Sequence, residues 1–207
     1  MDLRQWVVSR IRAQFGRPRG LAGWIAGWIM AHRSSNRRRN LWAVSLLDVQ
    51  PHDRVLEIGF GPGIAIAELN RIATEGQVCG LDHSELMLRQ AARRNAEGIR
   101  RGRVDLRLGS VDRLPAFEAP FDKILAVNAL EFGDQGVERL AGLQRLLKAG
   151  GRIAIGFQPR GPGATDEAAA ARGRAIATAL GETGFSDVRL ETLPLRPAVV
   201  CALGEAA

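Results

Sequence analysis

From residue 53 onward the apolar positions alternate between two rhythms. Short aliphatic and β-branched runs, "RVLEIG" (54–59), "QVCGLD" (77–82), "VDLRLG" (104–109), "FDKILAVNA" (121–129) and "GRIAIGF" (151–157), read as strands. Between them lie stretches of helical period at 63–73, 84–96 and 136–150, the last ending at Gly150 or Gly151. Ser84 stands where a helix N-cap belongs. An alanine-rich stretch at 167–180 predicts one more helix, and "FSDVRLETL" (185–193) and "PAVVCALG" (197–204) follow as two strands without a helix between them. Alternating β and α units predict an α/β, doubly wound, seven-stranded and mostly parallel sheet covered on both faces. The final pair, joined through "PLRP", predicts an antiparallel last strand. Upstream, apolar periodicity predicts helices over about 2–14, 20–32 and 36–48. The proline turn "QPHD" (50–53) divides the chain into an N-terminal helical segment, 1–50, and a main domain, 51–207.

Charge changes this picture more than composition does. A chain of 207 residues with 46% apolar and 25% charged residues is that of an ordinary globular protein with a sizeable core. Its net charge of +7 is concentrated at one end: residues 1–40 hold nine arginines against the single acid Asp2. That asymmetry points to an anionic partner, a membrane surface or nucleic acid, or else to a solvated basic helix face. The run "LAGWIAGWIMA" (21–31) is eleven residues long, and a spanning helix needs about 20. Trp24 and Trp28 share one face at i, i+4, which suits a helix packed on the domain or one lying in a membrane interface. Cys79 and Cys201 have no metal-ligand spacing, so no metal site and no disulfide framework is expected, and unpaired cysteines fit a reducing cytoplasm.

The candidate chemistry follows the first two strands, where open α/β sheets place ligands. "VLEIGFGPGIAI" (55–66) carries glycines at 59, 61 and 63. The dinucleotide pattern G-x-G-x-x-G fails, because its third glycine position holds Ile64, and Glu57 is a poor neighbour for a pyrophosphate. The P-loop pattern fails for lack of a following Gly-Lys-Ser/Thr. Asp82 ends the second strand, where a carboxylate accepts the hydroxyl hydrogens of a ribose. A glycine loop with a ribose acid and no phosphate cradle implies a nucleoside-like ligand with a polar tail, a description that S-adenosylmethionine fits.

At this point the sequence resembles a known family. "VLEIGFGPG" is similar to the E/D-x-G-x-G-x-G motif of class I S-adenosylmethionine-dependent methyltransferases, and "GLDHSELMLRQA" looks like their second motif. "LGSVDRLP", "FDKILAVNALEF" and "RLLKAGGRIAI" resemble the third, fourth and fifth, in order, over residues 53–157. The nearest group is the small methyltransferases related to ubiquinone and menaquinone biosynthesis enzymes. The resemblance implies a Rossmann-like methyltransferase fold with a reversed last strand, and S-adenosylmethionine as cofactor.

It also implies roles, residue by residue. Gly59, Gly61 and Gly63 let the backbone approach the methionine portion, with Phe60 at a variable loop position. Glu57 orients the ammonium group directly or through water, and Asp82 takes the ribose hydroxyls. His83 and Met87 lie against the adenine, or else are a solvated helix start and a core residue. Ser110 stands where relatives carry an acid for the adenine amino group, so that contact is weakened or moved to Asp112, while the Val111 backbone is left to serve the ring. Asn128 lines the cleft near the reacting sulfur.

Methyl transfer asks chiefly for alignment of the two reactants, with a base needed for some oxygen or carbon nucleophiles. Candidates on the acceptor side are Glu131 and His32 as catalytic groups, and Asn36, Asn40 and the neighbouring arginines as substrate contacts. Glu131 also reads as a solvated loop acid. Three functions stay open: transfer to a small-molecule acceptor, transfer to a membrane-held quinone precursor or lipid amine, and a cofactor-binding partner protein without activity. The intact glycines and Asp82 count against the third. Nucleic-acid methylation is disfavoured, since no aromatic-proline motif such as DPPY follows the fourth strand. The expected location is cytoplasmic, with residues 1–40 as the part able to meet an anionic membrane surface.

Overall fold

The computed structural model describes residues 34–130, 136–161 and 163–207. The expected helices over 2–14 and 20–32, with Trp24 and Trp28, lie outside the described residues. In chain order the elements are α1 (Ser34–Leu46), β1 (Arg54–Ile58), α2 (Ile64–Ile72), β2 (Gln77–Asp82), α3 (Glu85–Arg94), α4 (Ala96–Arg100) and β3 (Val104–Leu108). There follow β4 (Phe121–Val127), α5 (Gly136–Gln144), β5 (Leu147–Phe157), α6 (Asp166–Glu182), β6 (Ser186–Leu193) and β7 (Val199–Glu205).

Seven strands form one sheet in the order β3-β2-β1-β4-β5-β7-β6. The pairs from β3 to β5 are parallel, and β7 runs antiparallel to both β5 and β6. Parallel central strands are buried on both faces, so consecutive residues must serve opposite layers. Ile153 and Ile155 pack with Leu140 and Leu143 of α5 and Ile176 and Leu180 of α6. Ala154, between them, joins the opposite cluster with Ala65, Ile66 and Leu69 of α2. Ala43, Val44 and Leu47 enter that same cluster, so α1 belongs to the main core. Because β1 leads outward to β2 and β3 while β4 returns to its other side, the chain reverses direction between β1 and β4. A crevice opens there, beyond the strands' carboxyl ends.

Two helix boundaries differ from the sequence expectation. The helix predicted over 136–150 ends at Gln144, and Leu147 already pairs with Phe121. Gly150, at φ +73°, donates its N–H to Ala206 O, and Ala206 returns a bond to Gly151 O, both at 2.8 Å. These glycines therefore shape an irregular stretch of strand where β4 and β5 shift register, and they do not cap a helix. The helix predicted over 84–96 breaks at Asn95. Its amide donates to Ala91 O at 2.9 Å and to Gly63 O at 3.2 Å, which uses a side chain to hold the glycine loop. The expected cap at Ser84 is present, its Oγ accepting from Met87 N–H at 3.4 Å.

Candidate active site

The loop after β1 turns by way of three left-handed glycines, Gly59, Gly61 and Gly63, at φ +68°, +52° and +76°. Their side-chain positions meet different surroundings. A Cβ on Gly59 would lie 2.3 Å from Ala129 Cβ, and one on Gly63 would lie 2.6 Å from Asn95 Nδ2 and 2.8 Å from Ala91 Cβ. A Cβ on Gly61 would meet nothing within 4 Å. Only Gly61 of the three faces open space. Gly63, expected to receive a ligand, is a glycine because α2 and α3 meet there, and it does not line the cavity.

A cavity of about 250 Å³ lies above this loop. Near β2 its wall includes Asp82, His83, Ser84 and Met87, and near β4 and β5 it includes Val127, Asn128, Ala129 and Arg160. Helix α1 closes that second end with Asn36, Arg39 and Asn40, while Gly59, Phe60 and Gly61 lie between. The structure thus brings together Asn36, Asn40, Gly59, Phe60, Gly61, Asp82, His83, Met87 and Asn128 of the residues singled out in the sequence. His32 and Glu131 lie outside the described residues.

Asp82 is 6% exposed, and both its oxygens are engaged. Oδ2 accepts the Gly61 N–H at 2.8 Å and Oδ1 the Ser84 N–H at 2.9 Å. Burial raises its pKa, against the pull of those two bonds and of His83. Each oxygen keeps a further lone pair with which to accept from a ligand hydroxyl.

Glu57 lies beneath the loop, 2% exposed and outside the cavity wall. Its Oε2 has no hydrogen-bond partner. Burial, followed by the charge of Asp82, raises its pKa well above the carboxylate range, and a bond from the Ile66 N–H opposes this. A buried carboxyl with an unsatisfied oxygen is costly unless a donor reaches it. An ammonium group, directly or through a water, supplies such a donor.

Asn128 reaches the cavity, but its amide is committed elsewhere. Nδ2 donates to Gln158 O and Oδ1 accepts the Gln158 N–H, both at 2.8 Å, latching the end of β4 to the end of β5. Its backbone is left-handed at φ +53°, a conformation asparagine tolerates better than most residues.

Ser110 and Val111 stand outside the cavity wall. Ser110 Oγ turns to Asp112 at 3.2 Å, and Arg139 Nε of α5 donates to Asp112 at 2.5 Å, holding its carboxyl below the usual range. Val111 packs against the α5–α6 core. The polar atoms of Ser110 and Asp112 are thus paired with each other and with α5.

The sequence marks residues 1–50 and the Gly/Pro loop "QPRGPGATD" (158–166) as the segments that set acceptor specificity, but it does not single out Gln158 and Arg160 within that loop, nor the distinct position of Arg39. Arg37, Arg38 and Arg39 are consecutive, and only the third of them is buried. A helical wheel through the core residues Ala43, Val44 and Leu47 places 39 and 40 on the inner face, which is the signal that could have found it.

The sheet order, the glycine loop open at Gly61 and the carboxylate at the end of β2 together define a class I S-adenosylmethionine-dependent methyltransferase. Known proteins agree. A family described as "Methyltransferase domain" matches residues 55–151. The uncharacterised methyltransferase YdaC of Bacillus subtilis is 33% identical over 180 residues, 86% of this chain and 96% of that protein. The demethylmenaquinone methyltransferase of Symbiobacterium thermophilum is 31% identical over 105 residues, 50% of this chain and 42% of that one. Among solved structures, the complex between the Haloferax volcanii Trm112 methyltransferase activator and a methyltransferase superposes with a TM-score of 0.72 at 17% identity, over 95% of this chain and 97% of that one. The chain belongs to the methyltransferase family that includes YdaC. Its cofactor is S-adenosylmethionine.

Proposed function

We propose that this enzyme transfers the methyl group to a small-molecule acceptor bound at the α1 end of the cavity. The observation that carries the reading is the continuity of one cavity from Asp82 to Asn36, Arg39 and Asn40, with Gly61 between.

When bound, the cofactor supplies an electrophilic methyl on a sulfonium whose charge disperses during transfer. The chain's part is to hold and to exclude. Asp82 would take the ribose hydroxyls, Met87 and His83 the adenine, Gly61 the methionine backbone, and Glu57 the ammonium group. The latch between Asn128 and Gln158 would fix the wall against which the acceptor is aligned, and alignment is the main contribution such a transfer asks for. Residues 1–33, together with α1, would supply acceptor specificity. The cytoplasm, where Cys79 and Cys201 stay reduced, suits such an enzyme.

One observation favours a second reading, an acceptor held in a membrane. The arginines of residues 1–40 suit anionic headgroups, and one similar protein is named for methylating demethylmenaquinone. Among the described residues, no helix is long and apolar enough to cross a membrane. Incubating the protein with methyl-labelled cofactor and separate pools of soluble metabolites and membrane extract tests both. Label entering the soluble pool supports the small-molecule reading. Label entering only the membrane extract replaces it with the second.

A further inference from the structure

Consecutive residues of β2 each hold one residue of the glycine loop. The Gly59 N–H donates to Leu81 O at 2.7 Å, and the Gly61 N–H donates to Asp82 Oδ2 at 2.8 Å. Between them Phe60, only 3% exposed, lays its ring over Gly80. A Cβ on Gly80 would lie 2.7 Å from Phe60 Cδ1, with Leu106 Cδ2 at 2.9 Å and Ile66 Cδ1 at 3.0 Å. Gly80 pairs in regular parallel register with Glu57 of β1 and Leu106 of β3. The strand itself therefore does not call for a glycine at this position, whereas the close approach of the ring does.

Gly80 and Asp82 are two residues apart and share one face of β2. Phe60 and Gly61 thus rest on the same side of the sheet, the first by packing and the second by a hydrogen bond. The three side chains above Gly80 differ in what they can yield. Leu106 and Ile66 present terminal methyl groups that can rotate aside. The Phe60 ring is rigid and sits in the core cluster of that face, so a push on it passes to its own Cα. That Cα lies between Gly59 and Gly61, and Gly61 is the glycine open to the cavity. The fit of ring on glycine therefore sets where the Gly61 backbone stands relative to Asp82.

We propose that Phe60, seated over Gly80, is a positioning residue for the cofactor, holding the loop backbone at the place where S-adenosylmethionine meets it. The inference rests on the reading that the cofactor approaches Gly61, and it adds the pair of residues that tunes that approach. Phe60 acts through the backbone of the loop, with its ring turned into the core.

Calorimetry with S-adenosylhomocysteine on the full chain tests this, with circular-dichroism melts beside it. The variants are Gly80→Ala, Phe60→Leu and Leu106→Ala, and each of the last two combined with Gly80→Ala. Gly80→Ala should weaken S-adenosylhomocysteine about tenfold, within the range of couplings between touching residues. Phe60→Leu should weaken it less. Combined, the two should bring affinity back to within about threefold of the unaltered chain, because the added methyl fills space the ring vacates. Leu106→Ala should lower the melting temperature, leave affinity unchanged and fail to rescue Gly80→Ala. A purely structural role for the pair would move melting temperatures while every folded variant binds alike, and that result overturns the proposal. Rescue by Leu106→Ala equal to that by Phe60→Leu also overturns it. Should Gly80→Ala fail to fold, the single variants decide: Phe60→Leu must weaken binding and Leu106→Ala must not. Gly61→Val separates this inference from the reading beneath it. If that variant binds normally, the cofactor does not approach the loop and both fall. If it loses binding while Gly80→Ala binds normally, the positioning role alone falls.

Discussion

Gly61 donates its backbone N–H to Asp82 Oδ2 at 2.8 Å, which ties the tip of the glycine loop to the end of β2. Ser84 N–H holds the other oxygen, so the carboxylate orders both a loop and a helix start. The group expected to hold the ribose is therefore also the group that fixes the Gly61 end of the loop.

Asp82→Ala removes both functions at once. S-adenosylhomocysteine binding is expected to weaken by about 1–3 kcal/mol, roughly 5–150-fold in Kd. Asp82→Asn keeps an oxygen able to accept the Gly61 N–H but loses the charge, and should fall between the two. Calorimetry that finds unchanged affinity in the alanine variant, or NADH bound in place of S-adenosylhomocysteine, would refute the cofactor assignment.

The three loop glycines should respond differently to a side chain. Gly61→Val has space around it and should leave the domain folded, apart from about 1–2 kcal/mol of left-handed strain, while abolishing cofactor binding. Gly59→Ala and Gly63→Ala push a methyl into Ala129 and into Ala91 with Asn95, so both should lower the melting temperature. A circular-dichroism melt paired with calorimetry separates loss of binding from loss of fold. A Gly61→Val protein that binds normally would mean that the ligand does not approach this backbone.

That contrast shows what the sequence could and could not reveal. Its apolar rhythm made the strands and the mostly parallel sheet legible, because β1 to β5 must bury both faces. The spacing of Gly59, Gly61 and Gly63 marked a special loop. Spacing alone could not say that Gly63 answers to Asn95, 32 residues away, while Gly61 answers to open space. The same limit hid the end of α5. "RLLKAGG" has a helical composition, and only pairing with Phe121 and Ala206 makes it extended. Arg39 was concealed as one of three consecutive arginines whose inner member is fixed by a contact with Gln158, 119 residues on.

Glu57 gives the cofactor-free protein a defined pH response. Burial and the Asp82 charge raise its pKa in the folded state above the unfolded value. The folded chain therefore keeps a proton that the unfolded chain releases once pH exceeds the ordinary carboxylate range. Stability should fall as pH rises from there towards the raised folded value, by at most about 1.4 kcal/mol per pH unit for this one group. Asp82 shifts in the same direction and adds to the slope. Glu57→Gln should flatten the profile. Urea denaturation across this range measures it, and parallel profiles for the two proteins would contradict the assignment.

The described structure suggests where the N-terminal segment can be cut. Helix α1 begins at Ser34 and contributes Ala43, Val44 and Leu47 to the core, and Arg39 and Asn40 to the cavity. Deleting residues 1–33 spares all of these, and it removes six of the nine arginines in residues 1–40. The truncated chain should fold and bind S-adenosylhomocysteine but lose methyl transfer, because residues 1–33 are proposed to supply acceptor specificity together with α1. Sedimentation with anionic vesicles then distinguishes the two acceptor readings. Salt-sensitive binding by the full chain that disappears on truncation supports a membrane-held acceptor, since exposed charges are screened within about 10 Å at 0.1 M salt. A full chain that ignores vesicles supports the soluble acceptor, which is the expected result. Transfer by the truncated chain at the full rate would remove residues 1–33 from the acceptor site under both readings.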